Sequence, residues 1–364
     1  MITPKKHLLD IKRSPPERFD RTQYLRLDKN EDICGIPEEI LQGCLKNIHP
    51  DYVSTYPQVY PMYEKLGDYL SMPEDFILIT SGSDAAIKNA YEAYVSPGDG
   101  VVIPDPTYAM YEVYADLFQA HLVKIPYDKD LLLPFDNLLA AINKNTKMIA
   151  LPNPNSPTGT IIGREKILSL IKTAEKHDAL VLIDEAYYPF YPNTVIDLVQ
   201  KFKNLIVTRT FSKAFGLASA RLGYAVADPQ IICDLNTFRP IYETNGLTVA
   251  LGCAALDNRS YVEKNVQSVI RGREYLVGEL KRLGFFVFES HSNFVNVRVG
   301  KERVHPIVAY LKQKRILIKP GYDHPALIDC IRITVAPVEQ MRVVIQYIEE
   351  YIQLKIPTEK MILK

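Results

Sequence analysis

The stretch TRTFSK at residues 208–213 is the part of the sequence that best predicts the fold and its chemistry. It continues the apolar run NLIVT at residues 204–208, whose β-branched residues are typical of a short buried strand. Lys213 therefore follows the end of a strand, a position where burial disfavours the charged ammonium form. A neutral amine is a nucleophile that can form a Schiff base with a carbonyl group, although a surface lysine is the alternative for this residue taken alone.

Two earlier strands also end in polar side chains. The apolar run ALVLID at residues 179–184 ends in Asp184, and MIALP at residues 148–152 runs into the turn NPNSPTG, which contains Asn155. Open α/β sheets bind their ligands at the carboxyl ends of such strands. An amine for an aldehyde, a buried carboxylate for a ring nitrogen and a polar side chain for a ring hydroxyl are what pyridoxal phosphate requires. The three strands together predict a site for that cofactor.

The charge balance and the cysteine pattern argue against several classes of function. Across 364 residues, 43 Lys and Arg side chains balance 43 Asp and Glu, which gives no support for binding to nucleic acid or membranes. The five cysteines are scattered without a C-x-x-C pair, as expected for reduced thiols in a cytosol rather than for disulfides or zinc. The histidines show no metal-binding spacing, and we find neither a signal peptide nor a stretch long enough to cross a membrane. We therefore expect a cytoplasmic protein with small-molecule partners and no metal.

The order of strands and helices predicts the fold class. They alternate from about residue 76 to about residue 227, which predicts an α/β fold with a doubly wound, mostly parallel sheet. After about residue 255 a long helix (261–283), short strands and a final helix (338–354) indicate a smaller α+β domain. We predict an N-terminal arm (1–35) that joins the small domain, a large domain (36–254) and a small domain (255–364). Within the large domain the pattern also predicts a helix over residues 134–145.

The motifs, taken in chain order, resemble a known family. NPNSPTG at residues 153–159, DEAY at 184–187, SK at 212–213 and Arg221 eight residues later are similar to the motifs of fold-type-I aminotransferases of classes I and II. Within that family the sequence most resembles the histidinol-phosphate aminotransferase branch, from about residue 25 to about residue 348. The resemblance implies the pyridoxal-phosphate-dependent transferase fold of type I, with the cofactor bound in the large domain.

The resemblance also implies a role for each matching residue. Lys213 would carry the cofactor as a Schiff base and then move the proton, and Asp184 would pair with the ring N–H. Tyr187 and Asn155 would contact the ring's 3-hydroxyl oxygen, and Tyr108 would stack on the ring. The cofactor phosphate would lie at a helix start and near a cation, among Gly82, Ser83, Asp84, Ser212 and Arg221.

Three residues are expected to contact the substrate. Arg332 lies in the alternating strand CIRITV at residues 330–335 and offers a planar fork for a carboxylate or phosphate. The resemblance adds Asn155 and Tyr56. Tyr56 lies in STYP at residues 54–57, a non-helical stretch that resembles the family segment whose tyrosine reaches the cofactor phosphate of the other subunit. This implies a homodimer with shared active sites.

The implied reaction moves an amino group from L-glutamate to a small phosphorylated ketone, such as imidazole-acetol phosphate or dihydroxyacetone phosphate. Two departures from the family pattern bear on the substrate: Asp32 and Ile33 stand where Asn-Pro is usual, and Ala336-Pro337 stands where Gly-Thr is usual. A decarboxylase of serine or threonine phosphate is the alternative, because such enzymes resemble the same branch and keep the same cofactor residues. A regulator that binds the cofactor without turnover would carry an added DNA-binding module, for which the polar segment at residues 1–24 is too short.

Overall fold

The structure is a computed structural model that describes residues 2–9, 11 and 17–355. This part of the chain forms two β-sheets surrounded by helices. The strands are β1 (Leu25–Leu27), β2 (Ile77–Thr80), β3 (Gly100–Asp105), β4 (His121–Pro126), β5 (Thr146–Pro152), β6 (Leu180–Asp184), β7 (Leu205–Thr210), β8 (Gly223–Ala227), β9 (Phe286–Val287), β10 (Phe294–Arg298), β11 (Ile316–Pro320) and β12 (Cys330–Thr334). The α-helices are α1 (Glu38–Leu45), α2 (Pro50–Ser54), α3 (Tyr60–Leu70), α4 (Ser83–Tyr94), α5 (Met110–Leu117), α6 (Phe135–Ala140), α7 (Arg164–Glu175), α8 (Pro229–Phe238), α9 (Gly246–Asp257), α10 (Ser260–Arg282), α11 (Lys301–Gln313) and α12 (Val338–Lys355).

The larger sheet has seven strands in the order β2-β8-β7-β6-β5-β3-β4. Strand β8 runs antiparallel to both of its neighbours, and the other pairs are parallel. Along β7, Leu205 and Val207 belong to one hydrophobic core, whereas Ile206 belongs to a second core. A parallel sheet that is covered on both faces needs continuous apolar strands, because alternate side chains enter different cores. The predicted α/β class with a mostly parallel sheet is confirmed.

The smaller sheet has the strand order β1-β11-β12-β10-β9. Its edge strand β1 comes from the N-terminal arm and pairs in parallel with β11, while the other pairs are antiparallel. Arg332 on β12 lies opposite Lys319 on β11 in this register. The arm therefore continues directly from an edge strand of the smaller sheet into the residues that follow Leu27. The division into an arm and two domains at residues 35 and 254 remains a prediction.

Two parts of the large-sheet region differ from the sequence pattern. The helix predicted over residues 134–145 ends at Ala140, because Asn143 begins a turn in which its side chain accepts a hydrogen bond from the Asn145 N–H. The sequence pattern does not predict helices α8 and α9. Helix α9 is apolar along most of its length, so it lacks the polar face that reveals an amphipathic helix in a sequence.

A glycine sets the closest approach of the long helix α10 to the strand-to-helix connection before α12. A Cβ atom added to Gly272 would lie only 1.9 Å from the carbonyl oxygen of Ala336, whereas one added to Gly278 would meet nothing within 4 Å. The helix can therefore pack at this distance only where residue 272 has no side chain. None of the helices in the described residues is long and apolar enough to span a membrane.

Candidate active site

A cavity of about 640 Å³ lies where the carboxyl ends of the large-sheet strands meet the smaller sheet and the arm. Most of the residues predicted from the sequence line this one cavity, although they come from widely separated parts of the chain. They are Ser83, Asp84, Tyr108, Asp184, Tyr187, Ser212, Lys213, Arg221 and Arg332. The carboxyl ends of parallel strands are where an α/β sheet leaves room for a ligand.

Lys213 projects into the cavity from the turn after β7. Its side chain is half-buried, and its Nζ donates a hydrogen bond to the backbone carbonyl oxygen of Lys29, 3.0 Å away. Burial lowers the pKa of Lys213 to about 8, and the positive charge of Arg332 acts in the same direction. A substantial fraction of this amine is therefore neutral near physiological pH and available as a nucleophile.

Asp184 ends β6 and is only 4 % exposed. Its carboxylate accepts hydrogen bonds from the Thr208 hydroxyl at 3.0 Å and the Tyr111 hydroxyl at 3.4 Å. Burial raises the pKa of Asp184 to about 6, although its hydrogen bonds with Thr208 and Tyr111 act in the opposite direction. The register of β6 with β7 places Thr208 opposite Asp184. A buried carboxylate in this state is stabilised by a cationic partner that enters from the cavity.

The turn before α4 forms a small polar cup with Arg221. Gly82 has a φ of 83°, and a Cβ atom added there would lie 2.7 Å from a guanidinium nitrogen of Arg221. Arg221 donates to the Ser212 hydroxyl at 3.2 Å. Among the residues that the structure describes, no carboxylate forms an ion pair with Arg221. A helix start beside an unpaired arginine is suited to a phosphate group.

Two tyrosines, one at the cavity wall and one buried behind it, pack against each other near Asp184. Tyr108 lines the cavity and donates to the Asp84 carboxylate at 3.3 Å. Its ring meets that of the fully buried Tyr111 edge-on, with 5.9 Å between the ring centroids. Tyr111 therefore links the predicted stacking residue to Asp184. The sequence pattern did not single out Tyr111, since it lies one helical turn beyond Tyr108 on an apolar face.

Asn155 does not line the cavity, where the sequence analysis expects it. Its amide nitrogen donates to the Pro106 carbonyl oxygen at 3.0 Å and to the Thr158 hydroxyl at 2.8 Å, and its oxygen accepts from Thr107. Asn155 is thus buried beneath the cavity with its hydrogen-bonding groups occupied. The next residue, Ser156, lines the cavity in its place, as does Tyr187.

Arg332 reaches the cavity from β12 and is 6 % exposed. Its guanidinium donates to the Tyr322 hydroxyl at 2.6 Å and to the Asp28 carbonyl oxygen at 2.7 Å, and its buried Nε has no hydrogen-bond partner in the part of the chain that the structure describes. No carboxylate in the described residues is ion-paired with it. Lys319 also lines the cavity from the neighbouring strand. This corner is therefore positively charged and can bind an anion.

Tyr56 is a predicted site residue that lies well outside the cavity of its own chain. It is 71 % exposed and stacks on Tyr242, with 4.1 Å between the ring centroids. It lines a separate groove that includes His49 and Gly246. A contact between Tyr56 and the cavity described above would therefore have to involve another copy of the chain.

The arrangement fits pyridoxal phosphate on features of the structure itself. Among the described residues neither the buried Asp184 nor Arg221 forms an ion pair, and Gly82 leaves the space between α4 and Arg221 clear. Lys213 is an amine with a lowered pKa in the same cavity. These groups suit a ring nitrogen, a phosphate and an aldehyde, respectively. In the ranges 2–9, 11 and 17–355, no group of three His, Cys, Asp or Glu side chains is placed to hold a metal ion.

Comparisons with known proteins agree with this geometry. The chain matches the family "Aminotransferase class I and II" over residues 54–348. It is 33 % identical over 318 residues to a histidinol-phosphate aminotransferase of Thermoanaerobacter pseudethanolicus, covering 86 % of this chain and 89 % of that protein.

Two solved structures show the same fold. Histidinol-phosphate aminotransferase from Sinorhizobium meliloti in complex with pyridoxal-5'-phosphate has a TM-score of 0.87 at 24 % identity, covering 97 % of this chain and 98 % of that one. L-threonine-O-3-phosphate decarboxylase from Porphyromonas gingivalis has a TM-score of 0.77 at 22 % identity, covering 90 % and 99 %. At these identities the likeness of the structures speaks for the fold alone, whereas the family match and the curated relative extend over most of the chain. The chain therefore belongs to the class I and II aminotransferases and is a pyridoxal-phosphate-dependent enzyme of that family.

Proposed function

We propose that the enzyme moves an amino group between L-glutamate and a small phosphorylated ketone of the imidazole-acetol phosphate type. The observation that carries this proposal is a single cavity with two separate arginines, Arg221 and Arg332, neither of which has a carboxylate partner among the described residues. Two such cations can hold two anions. One would be the cofactor phosphate, and the other would be an anionic group of the substrate.

Each of the residues around the proposed cofactor site has a separate role. Bound pyridoxal phosphate supplies an electron sink for the substrate's Cα. Lys213 would hold the cofactor's aldehyde carbon and move a proton, and Asp184 would keep the ring nitrogen protonated. Tyr187 and Ser156 both line the cavity and would contact the ring oxygen, so we assign to Ser156 the role first predicted for Asn155. Tyr108 would stack on the ring, and Ser83, Ser212 and Arg221, which also line the cavity, would hold the phosphate.

The positively charged corner favours a phosphorylated substrate. Arg332 and Lys319 face each other across β12 and β11, and the hydroxyl of Tyr322 completes the corner. The curated relative with 33 % identity is a histidinol-phosphate aminotransferase, which supports histidinol phosphate as the amino compound. Arg332 would bind the phosphate of this compound and the carboxylate of glutamate in turn, as a ping-pong reaction requires.

A half-reaction tests the substrate. Purified holoenzyme is mixed, without an amino acceptor, with L-histidinol phosphate, L-histidinol, L-glutamate or serine phosphate, and the cofactor's absorbance and carbon dioxide release are followed. Histidinol phosphate and glutamate should convert the cofactor to its amine form, and histidinol should react at least about tenfold less efficiently because it lacks one charged contact.

The variant Arg332→Lys sharpens this test. Lysine keeps the charge but not the planar fork, so the preference for histidinol phosphate over histidinol should shrink. Arg164→Gln, which changes an arginine paired with Asp197 on the surface, is the control and should keep the preference. Equal rates for histidinol phosphate and histidinol with the wild-type enzyme would refute the phosphate site. Carbon dioxide released from serine phosphate, with the cofactor left as the aldehyde, would overturn the proposed reaction in favour of decarboxylation.

We further propose a cytoplasmic homodimer in which Tyr56 enters the partner's site. Several apolar side chains near Tyr56 are exposed, namely Val53, Tyr60, Ile241, Tyr242 and Leu247. An exposed apolar patch of this kind is typical of a protein interface. In a two-fold symmetric dimer the same residue is exchanged in both directions. The five cysteines are all unpaired, which suits a reducing compartment.

A further inference from the structure

Three consecutive residues of the N-terminal arm each contact one side chain of the cavity. The backbone oxygen of Asp28 accepts a hydrogen bond from Arg332 at 2.7 Å, and that of Lys29 accepts one from Lys213 at 3.0 Å. The third residue, Asn30, differs because it uses its side chain. Its Nδ2 donates to the hydroxyl oxygen of Tyr187 at 2.8 Å.

We propose that Asn30 is a positioning residue that turns the hydroxyl proton of Tyr187 toward the cavity. The inference rests on the proposed function, because the group that would receive this proton is the ring oxygen of the cofactor. It assigns to the arm a part in setting the electronic state of the cofactor, in addition to its part in the smaller sheet.

The orientation of the Asn30 amide follows from the surrounding hydrogen bonds. The backbone N–H of Asn30 donates to the Thr334 hydroxyl oxygen at 3.0 Å, so the proton of that hydroxyl is free to be donated elsewhere. The Thr334 hydroxyl donates it to Oδ1 of Asn30 at 3.1 Å. The oxygen end of the amide therefore faces Thr334, and the nitrogen end faces Tyr187.

The backbone of Asn30 is held equally firmly. Its carbonyl oxygen accepts a hydrogen bond from Asn293 at 3.1 Å, its φ is 56°, and the residue is 3 % exposed. The left-handed conformation is one that asparagine adopts more readily than most residues. Three residues thus hold the side chain and backbone of Asn30. Thr334 and Asn293 belong to the region of the smaller sheet, and Tyr187 follows β6 of the larger sheet.

A fixed donor at Tyr187 has a definite consequence. A phenolic oxygen carries one proton, and an oxygen that accepts a hydrogen bond from Asn30 must send that proton in another direction. Tyr187 lines the cavity together with Ser156, whose hydroxyl can both accept and donate a hydrogen bond. Accepting one hydrogen bond also makes a hydroxyl a stronger donor. A donor aimed at the ring oxygen stabilises negative charge there and so lowers the pKa of the bound cofactor's chromophore.

The test is a double-mutant cycle with Asn30→Asp and Tyr187→Phe. A carboxylate at residue 30 would accept from Tyr187 instead of donating, which reverses the hydroxyl. The measured quantity is the pKa from a pH titration of the bound cofactor's visible absorbance, without substrate. In the wild-type background Asn30→Asp should raise this pKa by about one pH unit more than in the Tyr187→Phe background, where only the added charge acts. An equal shift in both backgrounds would overturn the proposal.

A second pair of variants covers the case in which Asn30→Asp does not fold. Asn30→Ala should weaken cofactor binding, measured as a dissociation constant by equilibrium dialysis, by several-fold in the wild-type background and by much less with Tyr187→Phe. An equal loss in both backgrounds would show a purely structural role and refute the proposal. Because neither readout involves a substrate, a failure to use histidinol phosphate would refute the proposed reaction and leave this result intact.

Discussion

Lys213 donates a hydrogen bond from Nζ to the backbone carbonyl oxygen of Lys29, 3.0 Å away, although 184 residues separate the two in the sequence. The acceptor is a neutral carbonyl and not a carboxylate, so it does little to offset the effect of burial on the amine. The pKa of Lys213 is lowered to about 8 for this reason. The contact also makes the arm part of the wall on which the nucleophile lies.

The rate at which the apoprotein captures pyridoxal phosphate should depend on the protonation of Lys213. The neutral amine is the nucleophile, so the rate should rise with pH and level off above about pH 8. Arg332→Gln should move this midpoint upward, because the positive charge of Arg332 lowers the pKa of Lys213. Stopped-flow absorbance at several pH values measures both effects. Arg164→Gln is the matched control, and a midpoint that shifts equally in the two variants would contradict the assignment.

Asp184 should make the apoprotein less stable at neutral pH. Burial raises its pKa to about 6, while a free aspartate has a pKa of about 3.9, so the native state binds the proton more tightly than the unfolded chain. The free energy of unfolding therefore falls as pH rises from about 4 to about 6 and stays low above that. Asp184→Asn should remove this loss and stabilise the apoprotein at pH 7, by on the order of 2 kcal/mol.

Urea unfolding of the apoprotein at about pH 4 and pH 7 measures this effect. Asp32 has a pKa that burial also raises to about 6, so some dependence in the same direction should persist in the variant. The informative quantity is the difference between wild type and Asp184→Asn. The same variant should lower the rate of amino transfer by orders of magnitude, because asparagine cannot hold the ring nitrogen protonated. If the Asp184→Asn apoprotein were less stable at pH 7 than the wild-type apoprotein, this result would contradict the account.

Two glycines of α10 should respond in opposite ways to alanine. A Cβ atom at residue 272 would overlap the carbonyl oxygen of Ala336, so Gly272→Ala should lower the free energy of unfolding by at least about 2 kcal/mol. Gly278 has open space around it, so Gly278→Ala should raise the stability by about 0.5–1 kcal/mol through helix propensity. Denaturant unfolding of both variants provides the comparison. Similar effects of the two changes would show that the packing at residue 272 is not as close as described.

Shared active sites predict recovery of activity on mixing two inactive variants. If Tyr56 acts in the partner's cavity, a hybrid of Lys213→Ala and Tyr56→Ala subunits has one site with both defects and one intact site. Activity should then rise toward about one quarter of the wild-type level after subunits exchange at random. Mass spectrometry of the intact dimers confirms the exchange. A monomer on sizing, or no recovery once hybrids are present, would refute the proposal for Tyr56.

The sequence predicted those parts of the fold and site that depend on local pattern. Buried strands of a parallel sheet are continuous apolar runs, so the ends of β6 and β7, and with them Asp184 and Lys213, could be placed. Where side chains change direction within a turn, the pattern has no such precision. Asn155 and Ser156 are neighbours in the turn after β5, and only the structure shows that Ser156 lines the cavity.

The contacts of the arm could not be predicted for a different reason. Asp28, Lys29 and Asn30 reach Arg332, Lys213 and Tyr187 across long separations in the sequence, and two of the three contacts use backbone oxygens. A backbone acceptor leaves no signature in residue type. Of the three residues, only Asn30 makes its contact through its side chain. The position of that side chain depends on the pairing of β1 with β11. The smaller sheet thus brings the arm to the site, and the sequence pattern does not predict this pairing.

The most direct test of the central claim is to find the residue that holds the cofactor. The holoenzyme is reduced with borohydride, which makes the bond between the cofactor and its lysine permanent, and is then digested and analysed by mass spectrometry. The account predicts that the added mass of pyridoxal phosphate is found on Lys213, and that Lys213→Ala retains the fold but shows no labelled lysine in this cavity and almost no turnover. A label on another lysine, or turnover near the wild-type rate in Lys213→Ala, would contradict it.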